Sequence, residues 1–328
     1  MDDGAEWLSA STHAPVYAGY FADPFVLRTP TGYIAYGTDP SRTLGASLPS
    51  DGRQFQMLTS PDLVHWTDAG GALIPLPARL GTDYWAPEVA YREGQYWLYY
   101  SLGYGDKGHH LRVAVADDPI GPFVDTGVNL TPREAFAIDA HPYRDVDGSW
   151  YMFYSHDVLV GPRVGTMLAV DRLATMTSLA GQATTIVRPD ADWQIYQLAR
   201  PMYGRIFDWH TLEGPSVVRH DLRYYCFFSG GSWKDASYGV SWAESDHPLG
   251  PWRRLPEARR ILRTIGHEMI GPGHNSVTVA PNGTDVIAYH AWDADLTARR
   301  LHLSPLRWTS AGPSVDGFSG SAPSNAVK

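Results

Sequence analysis

One phrase recurs five times along this chain: a small or acidic residue, usually with a Pro beside it, then an extended run, a turn, and an aromatic-rich run. Asp23-Pro24 leads to Tyr33-Ile34-Ala35-Tyr36, and Ala86-Pro87-Glu88 leads to Tyr96-Trp97-Leu98-Tyr99-Tyr100. Asp139-Ala140-His141-Pro142 leads to Trp150-Tyr151-Met152-Phe153-Tyr154, Glu213-Gly214-Pro215 to Tyr224-Tyr225-Cys226-Phe227-Phe228, and Gly273-His274-Asn275 to Val286-Ile287-Ala288-Tyr289. A repeat of roughly 55–75 residues points to a radial or stacked architecture, because one such unit cannot bury its apolar faces alone. The opening position of three copies carries a carboxylate: Asp23, Asp139 and Glu213.

Short strand signals follow each phrase, as in Val113-Ala114-Val115-Ala116 and Gly239-Val240-Ser241-Trp242-Ala243. Asp118-Pro119-Ile120-Gly121-Pro122-Phe123 and Asp246-His247-Pro248-Leu249-Gly250-Pro251-Trp252 are near copies of one corner. Each unit therefore reads as an inner hairpin, a third strand, a Pro/Gly corner and a fourth strand, which is a β-propeller blade. The expectation is an all-β, five-bladed β-propeller with four antiparallel strands per blade. Long helical periodicity is absent. At 328 residues the chain is long enough for two domains, but large all-β folds run this long as one. One domain is expected over residues 1–318, with the small, polar 319–328 as a flexible tail. Because the first strand of every blade lines the central channel, Asp23, Trp85, Glu88, Asp139, His141, Glu213, His274 and Asn275 are expected to face one funnel.

The net charge of −9 argues against nucleic acid or an anionic membrane as partner, since both call for a basic patch. The 19 Tyr and 12 Trp suit strands and also suit stacking on sugar rings. The single cysteine, Cys226, excludes an intrachain disulfide and reads as a buried, inert thiol. No apolar run is long enough to span a membrane. The acidic N-terminus lacks a signal-peptide core, so the chain as it stands is expected to be cytoplasmic, or secreted if a signal peptide was trimmed.

Taken together, Ala22-Asp23-Pro24-Phe25, Trp85-Ala86-Pro87-Glu88-Val89, Ile138-Asp139-Ala140-His141-Pro142, Glu213-Gly214-Pro215 and Gly273-His274-Asn275-Ser276 resemble glycoside hydrolase family 43. That family consists of five-bladed propellers acting on arabinose- and xylose-containing glycans. Each motif alone is weak; five of them, in register with the repeat and spanning nearly the whole chain, are specific. The resemblance implies that Asp23 is a general base, that Asp139 adjusts the pKa of the acid and orients it, and that Glu213 is the general acid. It also implies that His274 lies near a bound metal ion, calcium with mostly water ligands. No organic cofactor is expected.

The chemistry fits these roles. Inverting hydrolysis needs a protonated carboxyl at the leaving oxygen and an ionised one about 6.5–9.5 Å away, with a water between. Burial and a neighbouring anion both raise a carboxylic pKa, so Asp139 can keep Glu213 protonated. Taken singly, Asp23 and Asp139 also look like turn-forming aspartates. A Glu at a channel-facing strand start must be hydrogen-bonded, paired or reactive.

Around them, Trp85 is expected to form a stacking wall of the sugar site, the alternative being a core Trp between blades. Glu88 and His141 are candidate substrate contacts, with structural roles as the alternative. Arg299 or Arg300 is expected to reach the substrate. His109-His110 and Asp208-Trp209-His210 read as loop elements at the channel mouth, and Asp117-Asp118 as a turn pair.

The expected activity is inverting cleavage of α-L-arabinofuranosyl linkages in arabinan or arabinoxylan, with β-D-xylosidase action as the alternative in the same class. The chain is too short for the extra β-sandwich of large β-xylosidases in that family, which favours arabinose. The expected partner is an arabinose- or xylose-containing oligo- or polysaccharide. A non-catalytic carbohydrate-binding propeller would keep the aromatics without needing three channel carboxylates. Fructan-cleaving propellers carry Arg-Asp-Pro and Glu-Cys motifs that this chain lacks.

Overall fold

The computed structural model describes residues 14–39, 49–255 and 260–318. The extreme N-terminus and the tail expected at 319–328 lie outside the described residues. Strands β1 (Ala22–Thr29), β2 (Gly32–Thr38), β3 (Gln54–Ser60) and β4 (Thr67–Leu73) form a four-stranded antiparallel sheet in chain order. Strands β5 (Asp83–Arg92), β6 (Gln95–Tyr104), β7 (Lys107–Ala116) and β8 (Val124–Asn129) form a second. A nine-stranded sheet follows. It holds β9 (Ala137–Arg144), β10 (Trp150–Val158), β11 (Gly165–Thr175), the short β12 (Ser178–Leu179) and β13 (Thr184–Val187), β14 (Ile195–Met202), the long β15 (Arg205–His220), β16 (Arg223–Gly230) and β17 (Gly239–Ser245). The last sheet is β18 (Ile270–Val279), β19 (Asp285–Trp292), β20 (Arg299–Thr309) and β21 (Gly312–Val315).

The fold is all-β, as the sequence predicts, but two of the repeats depart from four regular strands. The nine-stranded sheet arises because β11 pairs in parallel with β15, at Gly165–His210 and Thr166–Thr211, fusing two meanders. Beyond β17 the described residues make isolated bridges, Val240–Leu262 and Glu244–Arg253, in the place of a regular fourth strand. The hairpins follow from turn chemistry. Glu93 and Gly94, both at positive φ (54° and 87°), make the two-residue turn between β5 and β6, and Tyr203-Gly204 (51° and 72°) do the same between β14 and β15. Two-residue hairpin turns need that left-handed backbone to match strand twist. The near-copied corners are also alike in structure: Gly121–Pro122 and Gly250–Pro251 are both cis.

Packing closes the chain on itself. Tyr36, Phe55 and Met57 of the first sheet meet Tyr84, Leu98 and Tyr100 of the second. Tyr99 and Val113 meet Met152 and Tyr154, and Phe153 and Val170 meet Val217 and Phe228. Phe227 and Trp242 meet Ile287 and Tyr289, and Val286 and Leu301 return to Val26 and Leu58 of the first sheet. Each apolar cluster thus lies between consecutive repeats, four of them between sheets and one between the two fused meanders of the nine-stranded sheet, which is why the aromatic strands are buried on both faces. The segment before β1 reinforces the closure: Val16 N–H donates to Leu301 O and Phe21 N–H to Arg299 O, both at 2.8 Å. The first strands form a cycle of neighbours, β1 beside β5, β5 beside β9, β9 beside β15, β15 beside β18, and β18 beside β1.

Candidate active site

Every strand of that inner cycle breaks register at the same place. Two residues oppose one across from them between Ala22 and Phe25, Trp85 and Glu88, Ile138 and His141, Glu213 and Ser216, and Gly273 and Ser276. The first bulged residue is at positive φ each time: Asp23 (51°), Ala86 (48°), Asp139 (61°), Gly214 (59°) and His274 (49°). A bulge bends the strand and re-aims its side chains. In this register Glu213 stands one position before Asp23 and Asp139, not at the same position as the repeat phrase implies. In an unbroken strand a one-residue offset would send a side chain to the opposite face. The bulge removes that penalty, and Asp23, Asp139, Glu213, Trp85, Ile138 and His274 all line one cavity of about 720 Å³.

The liberated amides are caught by the preceding sheet. Ala86 N–H donates to Thr38 Oγ1 (2.8 Å), Asp139 N–H to Ser101 Oγ (2.9 Å) and His274 N–H to Ser229 Oγ (2.7 Å). Asp23 N–H donates to His290 Nδ1 (3.1 Å). Gly214 N–H departs from the series and donates to Asp139 Oδ2 at 2.9 Å.

The three carboxylates are in different states. Burial opposes ionisation of Asp23, but Arg299 and His274 outweigh it and hold its pKa well below the ordinary value. Arg299 Nη1 lies 3.1 Å and His274 Nδ1 3.4 Å from Asp23 Oδ1. His290 Nδ1 also lies 3.2 Å from this oxygen. Burial holds the His290 pKa down at about 4, so the ring is neutral, and its Nδ1 already accepts the Asp23 amide. The contact is therefore not an ion pair. Glu213 goes the other way: burial, then the Asp139 charge, push its pKa up to about 7. Its Oε1 accepts the Tyr238 hydroxyl at 2.6 Å. Burial raises Asp139 to about 6, with His274 opposing and Asp23 adding to the rise. For His274, burial disfavours the imidazolium, but Asp23, Asp139, Glu213 and Glu88 outweigh it and raise its pKa. The site thus holds one firmly ionised carboxylate and one carboxyl kept protonated to near neutrality.

The other expected residues divide. Trp85 lines the cavity, and His109 stacks beneath it (centroids 3.7 Å apart, 18° between planes), giving that histidine a role the sequence did not assign. Burial lowers the His109 pKa to about 4, so the platform is uncharged. Arg299 lines the cavity but is bound to Asp23 and, through Nη2, to Tyr20 Oη at 2.7 Å. Arg300 turns away to Asp293 at 2.9 Å. Glu88 and His141, expected as substrate contacts, do not line the cavity. They are spent on each other: His141 Nδ1 lies 2.7 Å from Glu88 Oε2, and Nε2 accepts Val217 N–H at 2.9 Å. A buried carboxylate needs such a partner more than a distant sugar does. Asp118 Oδ1 accepts Ile120 N–H at 2.9 Å, as a turn residue should.

Some lining residues escaped the sequence reading. Asp39 accepts Phe55 N–H (2.6 Å) and Gln56 N–H (3.0 Å), and burial raises its pKa to about 6. Tyr196, Trp233 and Lys234 also face the cavity, and the Trp233 ring lies 4.7 Å from the Arg299 guanidinium carbon. None of these belongs to a repeated phrase, so periodicity carried no signal for them.

An all-β closed fold with a neutral-to-acid carboxyl and an ionised carboxylate in one aromatic-walled cavity is a glycoside hydrolase site, and comparison with known proteins agrees. Residues 12–313 match the family model for glycosyl hydrolases family 43, and the chain belongs to that family. It is 32% identical over 306 residues to a β-D-galactofuranosidase of Aspergillus niger, covering 87% of this chain and 78% of that protein. It is 23% identical to an extracellular exo-α-(1→5)-L-arabinofuranosidase of Streptomyces avermitilis, covering 89% of this chain and 60% of that protein. Among solved structures, a thermostable family-43 glycoside hydrolase superposes with a TM-score of 0.77 at 28% identity, covering 90% of this chain and 93% of the other.

Proposed function

We propose that this chain is an inverting hydrolase of α-L-arabinofuranosyl linkages, built as a five-bladed propeller. The closed cycle of five inner strands, with an apolar core between each consecutive pair of repeats, supports the blade count. The single observation that carries the chemistry is the split between Asp23 and Glu213 in one cavity. Glu213 protonates the leaving oxygen. Asp23, with Arg299 and His274 set against Oδ1, offers Oδ2 to the attacking water. Asp139 holds Glu213 protonated by its charge and aligned through the Gly214 amide. Trp85 supplies an apolar face for the sugar ring.

For the calcium ion implied by the resemblance, His274 in its neutral form would be the protein ligand, set beside the ionised Asp23, whose negative charge suits a cation. No group of three or more His, Cys, Asp and Glu side chains among the described residues is arranged to hold a metal, so water would have to complete the shell of any such ion. Such an ion would screen the repulsion among the carboxylates.

A second sugar is favoured by the relative named a β-D-galactofuranosidase. β-D-Galactofuranose has the ring configuration of α-L-arabinofuranose with one more hydroxymethyl on its exocyclic arm, and a cavity of about 720 Å³ has room for it. Incubation with arabinan, arabinoxylan and the 4-nitrophenyl α-L-arabinofuranoside, β-D-galactofuranoside and β-D-xyloside, with released sugars identified, decides among these. Proton NMR of the first-formed sugar should show the anomer opposite to the substrate. A retained anomer, or no turnover at all, overturns the reading, the latter in favour of a carbohydrate-binding propeller.

A further inference from the structure

We propose that Tyr238 positions the general acid: its hydroxyl occupies Oε1 of Glu213 and leaves Oε2 as the oxygen that carries the transferable proton. The inference rests on the reading of Glu213 as the acid. Tyr238 stands just ahead of β17, is fully buried, and lies with Oη 2.6 Å from Glu213 Oε1. A chain of donors sets the direction of that bond. His274 N–H donates to Ser229 Oγ at 2.7 Å and takes one of its lone pairs, and the Ser229 hydroxyl in turn hydrogen-bonds Tyr238 in the sense that lowers the phenol pKa, which is that of a donor. A phenol oxygen accepting from Ser229 presents its own proton to Glu213. Burial, then the charges of Glu213 and Asp23, push the phenol pKa well up, so the donor is kept. With Oε1 engaged as an acceptor, the acidic proton belongs on Oε2.

The ring is held for this purpose. It stacks on His290 with centroids 5.8 Å apart and 11° between planes. It also fills the space where Gly273 lacks a side chain: a Cβ there would lie 2.1 Å from Tyr238 Cε1. A free protonated carboxyl would turn either oxygen to the leaving group and spend part of its time misaligned.

The test is Tyr238→Phe assayed on the methyl and 2,4-dinitrophenyl α-L-arabinofuranosides, or on the matching β-D-galactofuranosides if those are the ones turned over. On the methyl glycoside kcat should fall about 10- to 100-fold with KM unchanged. On the dinitrophenyl glycoside, whose leaving group needs no proton, the change should stay within about threefold. Equal losses on both substrates, an effect confined to KM, or no effect overturns the proposal. If Tyr238→Phe does not fold, Ser229→Ala, which removes the hydroxyl orienting the phenol, is judged by the same outcomes. Glu213→Ala run alongside separates the two readings. Equal losses in Glu213→Ala retire Glu213 as the acid, whereas a leaving-group-dependent loss there with equal losses in Tyr238→Phe retires only Tyr238.

Discussion

Asp139 Oδ2 accepts the backbone N–H of Gly214 at 2.9 Å, tying the carboxylate of one inner strand to the residue that follows Glu213 on the next. At the other four bulges the equivalent amide is caught by Thr38, Ser101, Ser229 or His290, each from the second strand of the preceding repeat. The corresponding residue here, Ser155, pairs with Ile138 in the same register, but its Oγ is buried without a hydrogen-bond partner. Asp139 has taken its place. A purely structural latch has thereby become one that carries charge, at the junction that holds Glu213.

Asp139→Asn keeps an oxygen for the Gly214 amide and removes the charge, whereas Asp139→Ala removes both. We expect kcat to fall about 10- to 100-fold in Asn, with the alkaline limb of the pH profile moved down, and further in Ala. Indistinguishable kcat values for the two variants would show that the amide bond contributes nothing.

Asp23→Asn should be inactive on every glycoside, including those with activated leaving groups, by at least about a thousandfold in kcat. Removal of a base is not repaired by a better leaving group. Appreciable turnover of a dinitrophenyl glycoside would exclude Asp23 from that role.

Activity should be lost on the alkaline side first. Glu213 must be protonated, and its pKa of about 7 makes kcat/KM fall as pH rises through neutrality. Asp23, held well below the ordinary carboxylate range, adds no acid limb of its own, so a fall on the acid side reports Asp139, whose pKa is about 6. An acid limb above pH 5 that persists in Asp139→Asn would contradict this assignment.

Stability should follow the same group. A pKa raised from 4.5 to about 7 means that the Glu213 contribution is complete below about pH 4.5 and is lost as pH rises through 7. Glu213→Gln, neutral at all pH, should therefore be more stable than the parent by about 3 kcal/mol at pH 8 and equal to it near pH 4.5. Urea unfolding at the two pH values measures the difference; a gain that does not vary with pH rules out ionisation as its cause.

Breaking the Glu88–His141 pair should cost stability rather than substrate affinity. His141→Ala strands a buried carboxylate and the Val217 amide, a loss of about 3 kcal/mol. A raised KM at unchanged unfolding midpoint would return the pair to the substrate site.

Much of this was legible because the chain repeats. The recurrence of Asp23-Pro24, Ala86-Pro87, Asp139-Ala140, Gly214-Pro215 and His274-Asn275 declared a closed all-β ring and named the three carboxylates, since equivalent positions in a radial repeat must meet at the axis. Pairing states were not legible. Nothing near Glu88 or His141 in the chain announces that they hydrogen-bond each other, because Glu88 and His141 lie 53 residues apart. The one-residue offset of Glu213 was hidden as well, since a repeat phrase does not show where a ladder slips.

The all-β architecture and the cast of acids are written along the chain, because periodic burial and turn chemistry are local properties. Which acid is ionised and which protonated is set in three dimensions. That choice depends on burial and on charges brought from other strands: Arg299 and His274 onto Asp23, and Asp139 and Tyr238 onto Glu213. Electrostatic energy depends on distance in space, and distance in space exists only once the ring has closed.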